Sequence, residues 1–170
     1  MRPSILIAGV GNIFLGDDAF GVEVVRALAK RPLPAGVSVV DYGIRGFDLA
    51  YALLDPWDVV VIVDALPRGG APGTLYTLEP DLTGIRDSPA QDSMINPHGM
   101  NPVSVLQLAF SMGAVGARVV VVGCEPQDFG DELEGRMGLS DVVQGSIESA
   151  VEMVEAVVAR IPTTSEACPA

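Results

Sequence analysis

Three features of the sequence predict one three-layer α/β domain with a mostly parallel five-stranded sheet and an antiparallel edge strand. Short apolar β-branched runs recur along the chain, segments of helical period separate most of them, and acids close several of the runs. Ser4 to Ala8 reads as the first buried strand. Asp18 to Lys30 reads as a helix, because Gly21, Val24, Val25 and Leu28 share a face at i, i+3, i+4, i+7 spacing. Pro32 and Pro34 end it. Val37 to Val40 is the second strand, closing on Asp41, and a turn from Tyr42 to Gly46 leads to a short helical stretch from Phe47 to Leu54. The run from Asp58 to Val63 is unbroken and β-branched, the pattern of a central parallel strand covered on both faces. Thr74 to Glu79 follows too short a connection for a helical crossover, which predicts the antiparallel edge strand.

Pro80 to Pro97 is polar, has no clear period and reads as a loop able to cover a site. Asn101 is placed to cap a helix with Pro102 at its first position, with Val103, Leu106 and Phe110 on one face. Val119 to Val122 is the last strand. Ser140 is placed to cap a long final helix in which Val143, Ile147, Val151, Val154 and Val158 recur at helical spacing. The expected organisation is a domain over residues 1–160 and a flexible tail over 161–170.

Composition narrows the function. At 170 residues and 49% hydrophobic content the chain can bury a core without staples, and no apolar run is long enough for a membrane span. The net charge of −12, from 22 acids and 10 scattered bases, argues against nucleic acid and anionic membrane as partners. No signal-peptide pattern precedes the first strand, so a cytoplasmic location is expected. Cys124 and Cys168 have neither disulfide-framework nor CxxC spacing and read as unpaired thiols.

A parallel sheet gathers chemistry at the carboxyl ends of its strands. Asp41, Asp64 and Cys124-Glu125 fall at such ends, and Asp18 lies in the loop and helix start after the first strand. The only histidine, His98, stands in Asn96-Pro97-His98-Gly99-Met100-Asn101-Pro102. Imidazole and carboxylates are what a borderline divalent metal, or an acid/base device, requires. Taken singly, Asp64 reads as a strand-end turn former, His98 as a loop residue before a capped helix, and Asp17 as an acid that caps free N–H groups at a helix start. Gly9-Val10-Gly11 is no dinucleotide fingerprint: the third glycine position holds Phe14, and Asp41 lies 32 residues after Gly9 instead of about 20. A tight turn accounts for the glycines, with Asn12 available for local side-chain to backbone bonds.

Taken together and in order, the residues resemble the maturation endopeptidases of nickel-iron hydrogenases, almost to Ala159. The resemblance rests on GxGN followed by an acid pair and a glycine (Gly9 to Gly21), the Asp41-x-Gly43 turn, the strand closing on Asp64, Pro72-Gly73-Thr74, Pro97-His98 before a helix, and Gly123-x-x-Pro126. It implies a hydrolase of the peptidase class that removes the C-terminal extension from the nickel-loaded precursor of a hydrogenase large subunit. It also implies metal recognition by Asp18, Asp64 and His98, with Asp18 and Asp64 as the catalytic carboxylates, in a metal-dependent or aspartic-type mechanism. Nickel would arrive with the precursor, and zinc or cadmium are other ions such a site accepts. Many members carry Glu where this chain has Asp18, and the family turn often has Thr where Ile44 stands. A monomer is expected. Two rival readings use the same ligands: a stand-alone metal-dependent hydrolase of small amides, which would retain its own metal, and a non-catalytic metal-sensing maturation chaperone, which would yield no peptide product. Cys124 is expected to be dispensable, because the acids around it disfavour a thiolate and the histidine is assigned to the metal.

Overall fold

The computed structural model describes residues 2–87, 101–114, 116–131 and 133–162. Five strands form one sheet: β1 (Ile5–Val10), β2 (Val37–Gly43), β3 (Val59–Ala65), β4 (Leu75–Leu78) and β5 (Arg118–Cys124), in the order β2-β1-β3-β5-β4. The first four in that order are parallel, and β4 pairs antiparallel with β5, Leu75 opposite Cys124. The mostly parallel sheet with its antiparallel edge is the predicted one. The short connection out of β3 does not fold back onto β3, however; it passes over the end of β5 and adds β4 on the far side.

Strand alternation divides the core in two. Ile5, Ile7, Val59, Val61, Val63, Val120 and Val122 face α1 (Phe20–Leu28), α5 (Asp141–Gln144) and α6 (Ile147–Ala159). Leu6, Ala8, Val10, Val60, Ile62, Val119 and Val121 face α2 (Gly46–Ala52) and α4 (Pro102–Ser111), with α3 (Leu82–Asp87) packed beside them. Both sheet faces are therefore covered, which is why these strands read as continuous apolar runs. Among the described residues no helix is long and apolar enough to cross a membrane.

Several local expectations change. Asp41 does not close β2; the strand continues to Gly43 because a register shift between Gly9 and Val10 sets Val10 opposite Gly43. The segment after β4 is not all loop: Asp81 accepts the N–H groups of Thr83 and Gly84, both at 3.1 Å, and so starts α3. Residues 88–97 of that expected loop, and the tail from 163 onward, lie outside the described residues. Asn101 caps α4 as expected, accepting the Ser104 N–H at 2.9 Å with Pro102 at the first position. The buried face of that helix is Pro102, Val105, Leu106 and Ala109, and Val103 points outward.

The final helix is two helices. The Ser146 N–H and hydroxyl both donate to the Val143 carbonyl, at 3.0 and 2.7 Å, and occupy the acceptor that a continuous helix would offer to residue 147. The first helix also begins later than expected. A 3₁₀ turn over Gly16–Ala19 carries the acid pair, and the α-helix starts at Phe20.

Gly9 is a strand residue and not part of a turn. The helix that follows lies so close to the sheet that a Cβ on Gly21 would overlap the carbonyl oxygens of Val63 and Val10. At Gly11 the backbone adopts a φ of 138° and a side chain would meet the Asp18 carbonyl. The glycines that mimic a nucleotide motif thus press α1 and the acid-bearing turn onto the ends of β1 and β3.

Candidate active site

The order β2-β1-β3 makes the carboxyl ends of β1 and β3 the point from which the chain departs to opposite sides, the place where a crevice opens in such sheets. Asp18 lies on the 3₁₀ turn after β1. Asp64 is the next-to-last residue of β3, opposite Gly123 of β5 and only 7% exposed. Alternation puts Asp64 on the same face as Val60 and Ile62, toward the layer of α2 and α4.

The two acids of the turn diverge because a 3₁₀ helix has three residues per turn, setting neighbours about 120° apart. Asp17 is completely buried. Its Oδ2 accepts the N–H groups of Gln127 (2.8 Å) and Asp128 (3.0 Å) and the Ser140 hydroxyl (2.9 Å), and its Oδ1 accepts the Ser140 N–H (2.7 Å). Asp17 therefore caps no N–H of its own helix, and Ser140 uses its hydroxyl on Asp17 instead of on the helix it precedes. Burial works to raise the pKa of Asp17, but these donors together outweigh it and hold the carboxyl below its ordinary value.

The Oδ2 of Asp18 accepts the Asn12 N–H at 2.7 Å. Asn12 in turn uses its side-chain oxygen on the Phe14 N–H at 2.9 Å, the local bond its position suggested. Burial raises the Asp18 pKa against that single donor. Asp64 is raised well above its ordinary value, first by burial and then by the charge of Asp18, with only the Ala65 N–H opposing. The structure thus brings the two predicted carboxylates into electrostatic contact. Neither has a Lys or Arg within ion-pair distance among the described residues. A pair of this kind is suited to take up a cation or to share and move a proton. Among the described residues no group of three or more His, Cys, Asp or Glu is arranged to hold a metal, and His98 lies outside them.

The remaining candidates separate from the pair. Asp41 pairs with Arg26 at 3.3 Å. Cys124 faces the opposite side of the sheet from Asp64, among Val120, Val122 and Val143, with its sulfur 3.4 Å from the Ser146 hydroxyl. Burial raises its pKa, so it is a packed thiol and not an activated one.

Glu125 has a role that strand-end position alone did not reveal. Its buried carboxylate accepts the N–H of Arg68 (2.8 Å) and of Gly69 (3.1 Å) and the Tyr76 hydroxyl (2.9 Å), tying down the segment that leaves β3 just after Asp64. These donors, which also include the Gly70 N–H, hold its pKa below the usual value despite burial. Gly69-Gly70 in the sequence allows a backbone to close tightly around an acceptor, but nothing local says that Glu125 supplies it.

Comparison with known proteins gives one consistent result. A family model described as hydrogenase maturation protease matches residues 22–157. A putative hydrogenase maturation protease of Methanocaldococcus jannaschii is 32% identical over 156 residues, 90% of this chain and 95% of the relative. The hydrogenase 2 maturation protease of Escherichia coli is 35% identical over 153 residues, 88% of this chain and 87% of the relative. Among solved structures, the Escherichia coli hydrogenase maturating endopeptidase HybD superimposes with a TM-score of 0.72 at 30% identity, covering 94% of this chain and 93% of that one.

Proposed function

The chain belongs to the hydrogenase maturation proteases, hydrolases of the peptidase class, and from that premise we propose that it removes the C-terminal extension from the nickel-loaded precursor of a nickel-iron hydrogenase large subunit. The observation that carries this reading is the Asp18–Asp64 pair: two coupled carboxyls at the sheet's switch point, with raised pKa values and no basic partner among the described residues. Their oxygens fit a divalent ion, and two carboxylates with one imidazole leave positions in its shell for ligands from the substrate.

His98 is the third ligand in this reading. α4 starts at Pro102, four residues beyond His98, in the layer that Asp64 faces. Its far end leads directly into the start of β5, so its N-terminus lies toward the carboxyl edge of the sheet. That placement supports bringing His98 to the pair.

Nickel enters as part of the substrate. Binding it compensates the charge that burial and Asp18 disfavour on Asp64, and it draws the scissile segment toward the pair. A carboxylate of the pair then takes the proton from the attacking water as general base. Without nickel that differential binding is lost, so cleavage waits for metal insertion. The proposal includes a monomeric enzyme acting in the cytoplasm.

Intact-mass measurement of a large-subunit precursor, incubated with the protein with and without nickel, tests the reading. One defined C-terminal loss is expected only in the nickel-loaded sample. An unchanged mass in that sample refutes it, and equal cleavage in both removes the metal gate. His98→Ala, Asp18→Asn and Asp64→Asn are each expected to abolish the nickel-dependent cut.

A further inference from the structure

The helix α2 buries one apolar side and exposes a second apolar stripe, which is flanked by the exposed Arg45–Asp48 ion pair. Leu49, Ala50 and Leu53 fill the core beneath it. On its outer side Phe47 and Tyr51, one turn apart, are 55% and 62% exposed, Leu54 continues the stripe at 40%, and Ile44 in the turn just before the helix is 62% exposed. Large apolar side chains repeated at helical spacing on the solvent side are unlike the single exposed residues that any surface carries.

The stripe begins at the site. The Gly11 N–H donates to the Gly43 carbonyl at 3.0 Å, which seats the turn carrying Ile44 beside the loop that holds Asn12, Phe14 and Asp18. Phe14, 56% exposed, extends from that loop and is held by the Asn12 side chain and by its carbonyl's bond to the Arg136 N–H at 2.7 Å. A backbone bond therefore joins the loop that carries Asp18 to the turn that leads into α2, so Ile44 at the start of the stripe sits close to the site.

We propose that Phe14, Ile44, Phe47, Tyr51 and Leu54 form a docking face for the folded body of the protein substrate, apart from the segment that is cut. This rests on the peptidase reading of the Asp18–Asp64 site. Two observations select the substrate over a second copy of the chain. The turn carrying Ile44, where the face begins, is hydrogen-bonded to the loop of the site to which a protein substrate must come. A second copy would also bring another net charge of −12 against the same surface, a repulsion that a basic or neutral partner escapes. Five side chains are far fewer than the roughly 20–30 residues a side of a standard stable interface, and suit an enzyme that must release its product.

The test is steady-state cleavage of the full-length nickel-loaded precursor by wild type, by a Phe47→Ser/Tyr51→Ser double variant, and by Val142→Ser, an exposed apolar control on α5. The double variant is expected to raise KM about tenfold or more while kcat stays within about twofold, because interface aromatics carry much of the binding energy; the control is expected to match wild type. An unchanged KM in the double variant overturns the docking face. So does a KM effect of equal size in the control, or a wild-type dimer that the double variant dissociates without altering KM. A wild type that leaves the precursor uncut refutes the proposed function, and the docking face is then decided by binding of the same precursor: retention by wild type and loss in the double variant uphold it, and equal binding or none overturns it.

Discussion

Asp17 and Asp18 are adjacent in sequence and alike in chemistry, yet they serve opposite regions of the molecule. Asp17 belongs to a sealed seam in which one carboxylate gathers four hydrogen bonds from residues more than a hundred positions away. Asp18 lies at the sheet's switch point, where such folds form a cleft, and one N–H and another acid are its company. In the seam, ionisation is favoured and the charge contributes to stability. In the cleft, ionisation is opposed, so the fold holds unspent electrostatic free energy there for a cation or a proton to release. The seam is what makes the cleft possible, because the turn that presents Asp18 is held in place by Asp17.

The strongest way to break this contrast is Asp64→Asn. Cleavage of the nickel-loaded precursor is expected to fall at least about a thousandfold, equivalent to about 4 kcal/mol in the barrier, while the metal-free fold keeps its stability or gains about 1 kcal/mol because a disfavoured charge is gone. Activity assays paired with urea denaturation check both halves. A loss of stability comparable to the loss of activity would place Asp64 in the seam's category.

Asp17→Asn is the converse. It sets an amide NH₂ among converging donors and is expected to cost about 2–4 kcal/mol of stability, read from the urea midpoint. Activity should decline only as far as the turn loosens. If the fold is unaffected, the seam does not hold the turn.

The pH dependence of melting separates the two regions with a smaller effect. The lowered values of Asp17 and Glu125 mean that the stability they supply is complete above the unfolded carboxyl range, about 3.9–4.3, and is lost as pH falls through their folded values. The raised values of Asp18 and Asp64 act in the other direction, favouring the fold below that range and withdrawing stability as pH rises through their folded values. Metal-free protein should therefore melt highest between these limits. Asp64→Asn should flatten the decline on the alkaline side and Glu125→Gln the decline on the acid side, by a few degrees each in calorimetric scans.

The smallest effect is expected at Cys124. Cys124→Ala should retain full cleavage and lose about 1 kcal/mol of packing, and alkylation of the native protein should be slow because the thiol is buried with a raised pKa. Loss of processing in a folded Cys124→Ala protein would overturn the carboxylate-centred site.

The sequence by itself determined the layers of this protein, since β-branched runs and helical spacing are local consequences of burial on two faces and one. It also pointed to Asp18 and Asp64, through their places after and at the ends of predicted strands together with the family resemblance. It told Asp17 from Asp18 through the family resemblance but gave Asp17 the wrong partners, since the donors it meets arrive from Gln127, Asp128 and Ser140 and not from its own helix. α3 escaped notice because one short helix started by Asp81 leaves no periodic trace. The break between α5 and α6 was hidden by an apolar period that continues across it. What the tertiary structure alone decided was the fate of each polar group. A carboxylate in water is satisfied wherever it points, but one taken out of water is governed by the few donors and charges the fold sets around it, and those come from parts of the chain that local spacing cannot relate.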